Sequence, residues 1–518
     1  MDGIVLQIYK NYSGIEVRGN ELIVKAGTLL SSTSRAALNE ELTGFEFAGG
    51  IPGTFGGAVV MNAGAYGGEM VQVLKEVTVL TKEGEIKTLK AEELELGYRT
   101  SNVLKNEYVV LEGVIALKKG NKEEIKAKVD KYMIETYERF DMIAERGKGM
   151  YVYDENGTPY LDFYAGIAVN SAGSCNDKVV LAVIDQCMDI MQTFNYPYTV
   201  PQALLAEKIC TTIGMDKIFF QNSGAEANEA MIKMARKYGV EHFGPNKYEI
   251  ITAKESFHGR TFGSMSATGQ PDNACQIGFG AMTPGFKYAE FNNLKAFEDA
   301  ITENTIGIMV EPVQGEGGVH PATKEFLTGL RKLCDEKGLL LLLDEVQSGW
   351  CRTGAVMSYM NYGIKPDIVS MAKALGGGMP IAAICAREDV SKAFTMGSHG
   401  STFGGHPVCC AAALAEVNEL LDKDLAGNAK KMGAYFLEQA REKLPHLKEA
   451  RGQGCFLGLE FDDKINSVDL KHKCFDKHML STAIGEHVLR LVPPLILQKE
   501  HVDKAIAIIK ESVEELAK

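Results

Sequence analysis

From about residue 148 onward, short apolar runs alternate with amphipathic helix patterns, and that alternation leaves few folds open to the chain. KIFF (217–220), YEIITA (248–253), TIGIMV (305–310), LLLLL (339–343) and DIVSMA (367–372) have the length of buried strands. Strands separated by helices predict an α/β domain with a largely parallel sheet. In open sheets of that kind ligands bind beyond the carboxyl ends of the strands. The residues that follow each run are therefore the candidates for chemistry.

Each run ends on polar or charged groups. KIFF leads into Gln221-Asn222-Ser223-Gly224-Ala225-Glu226, and EIITA into Lys254 through Arg260 by way of Phe257 and His258. TIGIMV leads into Glu311-Pro312-Val313-Gln314-Gly315-Glu316, LLLLL into Asp344-Glu345-Val346-Gln347, and DIVSMA into Lys373 and three glycines. Any one of these is an ordinary loop by itself. Gathered on one rim, they describe a site that handles an anion and a reactive amine.

Three positions carry the sharper readings. Ser223 to Glu226 has the S-x-x-E spacing of a helix capping box. The small residues Gly224 and Ala225 also leave the helix N-terminus open, a natural phosphate cradle. Asp344 closes a run of five leucines, where a carboxylate is costly unless it meets a cation or a donor. It is either a structural ion-pair partner or the partner of a protonated pyridine nitrogen, which keeps such a ring an electron sink. Lys373 at a strand end is either a solvated surface charge or an amine of depressed pKa able to attack an aldehyde. The Gly376-Gly377-Gly378 turn would let backbone approach a bound ring.

Charge and composition narrow the partners. A formal net charge of −13 opposes nucleic acid and anionic membrane surfaces as partners. The longest aliphatic run is far too short to span a bilayer. The 11 cysteines lack zinc or redox spacing and read as free thiols of a reducing compartment, with no metal site. The start, MDGIVLQIYKNYSG, has no basic region followed by an apolar stretch, so the expected location is the cytoplasm.

A chain of 518 residues is too long for one ordinary domain. All cysteines and the single tryptophan, Trp350, lie after residue 174. Before about residue 120, β-rich runs alternate with glycine-rich turns; VTVLT and EIKTL around KEGE predict a β-hairpin. KKGNKEEIKAKVDKYMIETYERF then reads as a charged helix holding the boundary. The expected division is 1–125, a junction over 126–147, and 148–518, with 405–518 as a small C-terminal domain.

QNSGAEANEAMIKMARKYG, FHGRTFGSMSATG, MVEPVQGEGGV, LLLDEVQSG with RTG, DIVSMAKALGGGMPIAA and GSTFGGHP resemble, in order and spacing, the motifs of the class-III aminotransferases. Within that family they look most like the members that act on N2-acetylornithine in arginine biosynthesis. The resemblance runs from about residue 133 to the end. It implies a fold-type-I transferase that is dependent on pyridoxal 5'-phosphate, with a mostly parallel sheet in the large domain and a small C-terminal α/β domain. By the same resemblance Lys373 holds the cofactor and shuttles the proton, and Asp344 pairs with the ring nitrogen. Gln347 reaches the ring hydroxyl, while Val346 and Phe257 cover the two ring faces. Ser223, Gly224 and Ala225 hold the phosphate, joined by the partner subunit's Thr402, which implies a homodimer. Arg260 and Ser401 contact substrate. Arg490 is the second carboxylate-binding arginine, and Glu316 masks it. The implied reaction moves an amino group to 2-oxoglutarate. Three stretches depart from the family: Gly173 to Asp177, 194–202, and His406 where relatives commonly have Asn. They leave ornithine, succinylornithine or another ω-amino acid open as donor.

GFEFAGGIPGTFGGAVVMNAGAYGGEM and the later LGYRTS resemble the flavin-dependent UDP-N-acetylenolpyruvoylglucosamine reductases of cell-wall synthesis. The resemblance implies an α+β fragment of an FAD-binding domain, with Tyr98 and Arg99 matching the family's substrate pair. The family's early flavin-phosphate loop would precede residue 1, and its final substrate domain is replaced by the aminotransferase. Three readings follow: a working reductase half, a module retaining flavin or nucleotide affinity, or an inert fusion remnant, the last being favoured. Met133 is a candidate original start. A truncated domain is expected to expose apolar surface and sheet edges and to fold poorly.

Overall fold

The computed structural model describes residues 8–40, 42–65, 67–119 and 122–518. The chain divides into two compact units, Met1–Glu145 with Tyr153–Thr158, and Arg146–Val152 with Pro159–Lys518.

In the larger unit a seven-stranded sheet runs in the order Lys217–Gln221, Ala382–Ala386, Ile368–Met371, Leu340–Asp344, Thr305–Val310, Glu249–Ala253, Phe286–Ala289. Ala382–Ala386 is antiparallel to both of its neighbours, and the remaining pairings are parallel. All strands but that one therefore point the same way. Gln221, Ala253, Val310, Asp344 and Met371 end on one edge of the sheet.

The leucine run shows why these strands lack a polar face. Leu340 and Leu342 pack with Met231, Ala235 and Met309 beneath the Gly224–Phe243 helix. Leu341 and Leu343 point the other way, into a core with Phe326, Leu327 and Leu330 of the Lys324–Lys337 helix. A parallel sheet covered on both faces needs apolar residues at every position. Each such side chain contributes about 1.5–3 kcal/mol by leaving water. The strand stops at Asp344 because the next residues must present polar groups to the open edge.

Two four-stranded sheets and the short pair Val313–Gln314 with His320–Pro321 complete this unit. Arg146–Lys148, Tyr151–Tyr153 and Pro159–Asp162 form one, which takes Met479–Leu480 from far along the chain as its fourth strand. Leu447–Gln453, Phe456–Phe461, Val488–Leu491 and Thr482–Ile484 form an antiparallel sheet that carries Arg490. The helix Leu425–Lys443 packs against it, and Lys499–Leu516 packs on that helix. The 11 cysteines are all free, with Cys175 and Cys187 exposed.

The N-terminal unit is built on a five-stranded antiparallel sheet, ordered Ile15–Arg18, Glu21–Lys25, Val109–Ala116, Leu74–Leu80, Ile86–Lys90. The expected hairpin is present, with Val79 opposite Lys87. The unit closes a core of its own, while Ile15–Arg18 and Ile86–Lys90 are the outer strands of its sheet and Ile86 and Leu104 are exposed, as expected of a truncated domain. Leu22, Val24, Phe55, Val77, Val79 and Ile115 are fully buried because the helices Leu30–Asn39 and Phe55–Val60 supply the apolar partners the sheet requires. The charged helix Lys122–Tyr132 belongs to this unit. No helix among the described residues is long and apolar enough to cross a membrane.

Candidate active site

The strand ends of the larger unit enclose a cavity of 420 Å³ whose wall includes Ser223, Gly224, Ala225, Phe257, Arg260, Asp344, Val346, Gln347 and Lys373. One rim thus gathers nine of the residues singled out from the sequence.

Ser223 caps the Gly224–Phe243 helix. Its Oγ accepts the Glu226 N–H at 3.3 Å, and the Glu226 carboxylate accepts the Ser223 and Asn222 N–H groups at 2.9 Å each. The amides of Gly224 and Ala225 come next, and the first amides of a helix have no intrahelical acceptor. A Cβ on Gly224 would lie 2.6 Å from Val346 Cγ1, so only glycine lets the helix end abut the cavity wall there. Bare amides at a helix N-terminus suit a phosphate.

Asp344 is held from several sides. Its Oδ2 accepts from Asn228 Nδ2 at 2.7 Å and from His258 Nδ1 at 2.8 Å. Its Oδ1 accepts the Val346 N–H at 3.0 Å. These three donors hold the carboxylate in one orientation.

Lys373 follows the Ile368–Met371 strand with a backbone φ of +45°, a left-handed conformation that aims the side chain into the cavity wall. Desolvation is the largest influence on its amine and pushes the ammonium down to about 8. Glu316, Asp344 and Glu311 pull it back up, and Arg490 depresses it further. About a tenth of this amine is then neutral at pH 7, far more than of an ordinary lysine, and the neutral amine is the nucleophile.

The glycines after Lys373 answer mainly to packing. A Cβ on Gly377, where φ is +56°, would stand 2.7 Å from Glu416 Oε2, so Gly377 accommodates the helix behind the lysine. Gly378 lines the cavity.

Arg490 is buried behind Gln347 and donates to its Oε1 at 3.3 Å. It also forms a short ion pair with Glu316. Burial raises the Glu316 carboxyl, but Arg490, Lys373 and a hydrogen bond from Gln347 outweigh it and hold the group below its ordinary range. Arg260 has no ion pair among the described residues; its guanidinium lies 5.4 Å from the Phe257 ring centre.

Ser401 and Thr402 do not line the cavity. The Ser401 hydroxyl accepts from Asn222 Nδ2 at 3.1 Å and from the Gly404 N–H at 2.9 Å. Thr402 is exposed, and its carbonyl accepts from Gln192 Nε2 at 2.7 Å. Asn228, His258, Glu311 and Val169 line the cavity without having been assigned roles. Asn228 falls one helical turn beyond Gly224, the spacing that returns to the same face.

In the N-terminal unit, Asn62, Gly64, Ala65, Gly67, Gly68, Glu69, Tyr98 and Arg99 line a cavity of 260 Å³. That lies just below the roughly 300–1,000 Å³ of ordinary small-molecule sites.

Residues 132–513 match the family described as aminotransferase class-III, and residues 1–90 match the FAD binding domain family. The acetylornithine aminotransferase of Methanocaldococcus jannaschii is 46% identical over 393 residues, 75% of this chain and 97% of that protein. That of Caldanaerobacter subterraneus subsp. tengcongensis is 44% identical over 389 residues, 74% of this chain and 98% of that protein. Among solved structures, Toxoplasma gondii ornithine aminotransferase superposes with a TM-score of 0.74 at 33% identity, covering 77% of this chain and 96% of its own. Elizabethkingia anophelis acetylornithine aminotransferase gives 0.68 at 29% identity, covering 76% and 99%. A helix N-terminus for a phosphate, a supported carboxylate and a depressed amine on one cavity wall are what the cofactor of such enzymes needs, and the chain belongs to the class-III aminotransferases, as a pyridoxal-phosphate-dependent enzyme.

Proposed function

We propose that the enzyme transfers an amino group from N2-acetylornithine, or a similar ω-amino acid, to 2-oxoglutarate, as a step of arginine biosynthesis in the cytoplasm. The observation that carries this reading is Lys373, whose amine is pushed down to about 8 on the wall that also holds Asp344.

Pyridoxal phosphate, when bound, supplies an aldehyde and a ring that withdraws electrons from the substrate carbon. The chain's residues supply the rest. The Lys373 Nζ is the attachment point and the base that moves the proton. Asp344 holds the ring nitrogen's proton, fixed by Asn228 and His258. Gly224 and Ala225 offer amides to the phosphate, with Ser223 at the same helix end. Val346 and Phe257 cover the ring faces, and Gln347 reaches its hydroxyl. Arg260 takes the carboxylate common to donor and acceptor, as a planar fork suits. Arg490 takes the second carboxylate of 2-oxoglutarate and is masked by Glu316 when the donor has none. Support for that last role is the Glu316–Arg490 ion pair.

We read the enzyme as a homodimer. Tyr196 and Tyr198 are 89% and 103% exposed, beside the Ser401–Gly404 loop that Asn195 holds through its side-chain amide. Aromatic residues so exposed favour cover by a second copy, which would bring Ser401 and the partner subunit's Thr402 to the substrate and phosphate. The N-terminal unit is best read as a folded appendage. The alternative, retained FAD binding with reductase activity, is favoured by the family match over residues 1–90. Absorption spectra of the purified full chain separate these readings. Bound pyridoxal phosphate should give a visible band that bleaches with N2-acetylornithine and returns with 2-oxoglutarate. A band that N2-acetylornithine leaves unmoved refutes that donor. Flavin bands would restore the alternative.

A further inference from the structure

Glu311 follows the Thr305–Val310 strand and is buried in the cavity wall. Its two oxygens serve two different loops. Oε1 accepts the Phe257 N–H at 2.9 Å, and Oε2 accepts the Gly315 N–H at 3.3 Å. Gly315 is pressed against Gln347, since a Cβ there would lie 2.9 Å from Gln347 Cδ. The next residue, Glu316, pairs with Arg490.

We propose that Glu311 is a positioning residue for the aminotransferase reaction, tying the loop that carries Phe257 and Arg260 to the loop that carries Glu316. The proposal rests on the roles read above for those residues. It fixes where Arg260 stands relative to Glu316, the carboxylate that masks Arg490 when the donor has no second acid. Only a carboxylate can do this, because each backbone N–H needs an acceptor and a carboxylate offers one on either side. An amide offers one oxygen and turns its own N–H₂ against the other donor. A second tie, from Gln314 Nε2 to the Lys254 carbonyl at 2.7 Å, holds the outer parts of the same loops. Loss of the inner tie therefore leaves the chain folded.

The charged groups facing Glu311 are His258 from the Phe257 loop, Asp344 from the neighbouring strand end and Lys373 from the next. Burial pushes the Glu311 carboxyl up to about 7, with His258 pulling down and Asp344 pushing up. Protonation places a hydrogen on one of the two acceptor oxygens. The tie therefore tightens as pH rises through about 7.

The test is Glu311→Gln in the full chain, read in two ways. Hydrogen exchange of the cofactor-free protein over 254–262 and 311–318 should quicken by about 10-fold or more at Phe257 or Gly315. With N2-acetylornithine and 2-oxoglutarate, the variant's KM values should rise about 5- to 20-fold. The wild-type KM should also fall as pH passes about 7, where the variant's stays flat. Unchanged exchange at both amides overturns the proposal, as does an unchanged KM with the same pH dependence. If wild type fails to turn over N2-acetylornithine, the substrate reading fails, and the exchange arm still decides the tie.

Discussion

His258 Nδ1 stands 2.8 Å from Asp344 Oδ2, and both side chains are buried. An ionised carboxylate only accepts hydrogen bonds, so the imidazole must donate from Nδ1. Its Nε2 is buried without a partner among the described residues. The bond to Asp344 is thus the one polar contact that justifies burying this ring. His258→Phe fills the same space but leaves Asp344 Oδ2 with Asn228 alone. Hydrogen bonds to charged groups are worth about 1.5–3 kcal/mol, and urea unfolding should register that loss. Steady-state kinetics should show kcat/KM lowered by about 10- to 100-fold, since the carboxylate that serves the ring nitrogen is less well fixed. Unfolding and kinetics both within a factor of two of wild type would leave the histidine no role.

Lys373 gives a prediction in the cofactor-free protein. Desolvation chiefly depresses its amine from an ordinary 10.5 to about 8. Below about 8 the folded and unfolded chains both hold the proton, and nothing changes with pH. Between about 8 and 10.5 the unfolded chain holds a proton that the folded chain has lost, so this group makes folding more favourable as pH rises. Lys373→Met abolishes that dependence. The variant's melting temperature should exceed the wild type's most clearly at pH 7, and the gap should narrow by pH 10. A gap that does not change with pH would show that the amine is not depressed. The same variant should lose the 10²- to 10⁴-fold, in order of magnitude, that a positioned proton-transfer group supplies.

How much of this could be read from the chain depends on how local each cause is. The parallel sheet was legible because strands covered on both faces must be apolar throughout, as Leu340 to Leu343 are. The cap at Ser223 was legible because its two partners lie three residues apart. Asn228 and His258 were not, since an Asn inside a helix and a His in a loop carry no mark of the aspartate they meet. The joining of Leu161 to Met479 in one sheet depends on contacts across more than 300 residues. The turn at Ala165–Ala168 had no sequence signal either. Its φ values of +48°, +64°, +61° and +63° include Ile167, a β-branched residue that rarely adopts them. The glycines after Lys373 were read as room for a ring, whereas Gly377 is set by Glu416 behind it.

Gly377→Ala tests that last point. The new methyl would stand 2.7 Å from Glu416 Oε2 at a φ of +56°, so both clash and backbone conformation oppose it. A strained non-glycine residue costs about 1–3 kcal/mol, and overpacking a similar amount. Thermal or urea unfolding should show a loss in that range. Pyridoxal phosphate affinity should weaken too, because Lys373 lies four residues upstream on the same short turn. A fully stable Ala variant would mean that Glu416 retreats freely. Its hydrogen bond from the Ala172 N–H at 2.9 Å argues that it does not.

Glu345, beside Asp344, is buried completely and accepts the Ser358 and Tyr359 N–H groups at 2.5 and 2.7 Å. Burial outweighs those two amides and, with Asp344 adding repulsion, pushes the carboxyl up to about 8. The unfolded chain releases this proton near the ordinary 4.5, while the folded chain keeps it to about 8. This group's stabilisation is complete below about 4.5 and declines as pH climbs to about 8, beyond which it is constant. Glu345→Gln keeps one acceptor and removes the titration. The difference in unfolding free energy between pH 5 and pH 8 should shrink in the variant by about 1–4 kcal/mol, at 1.36 kcal/mol per pH unit for one proton. Glu416, also pushed up to about 8, acts in the same direction, whereas Glu419, held near 2 by Lys178 and Lys423, has finished titrating below pH 5. Both are present in either protein and cancel in the comparison. Equal pH slopes would mean that Glu345 is already ionised in the folded chain, and that its two amide donors outweigh its burial.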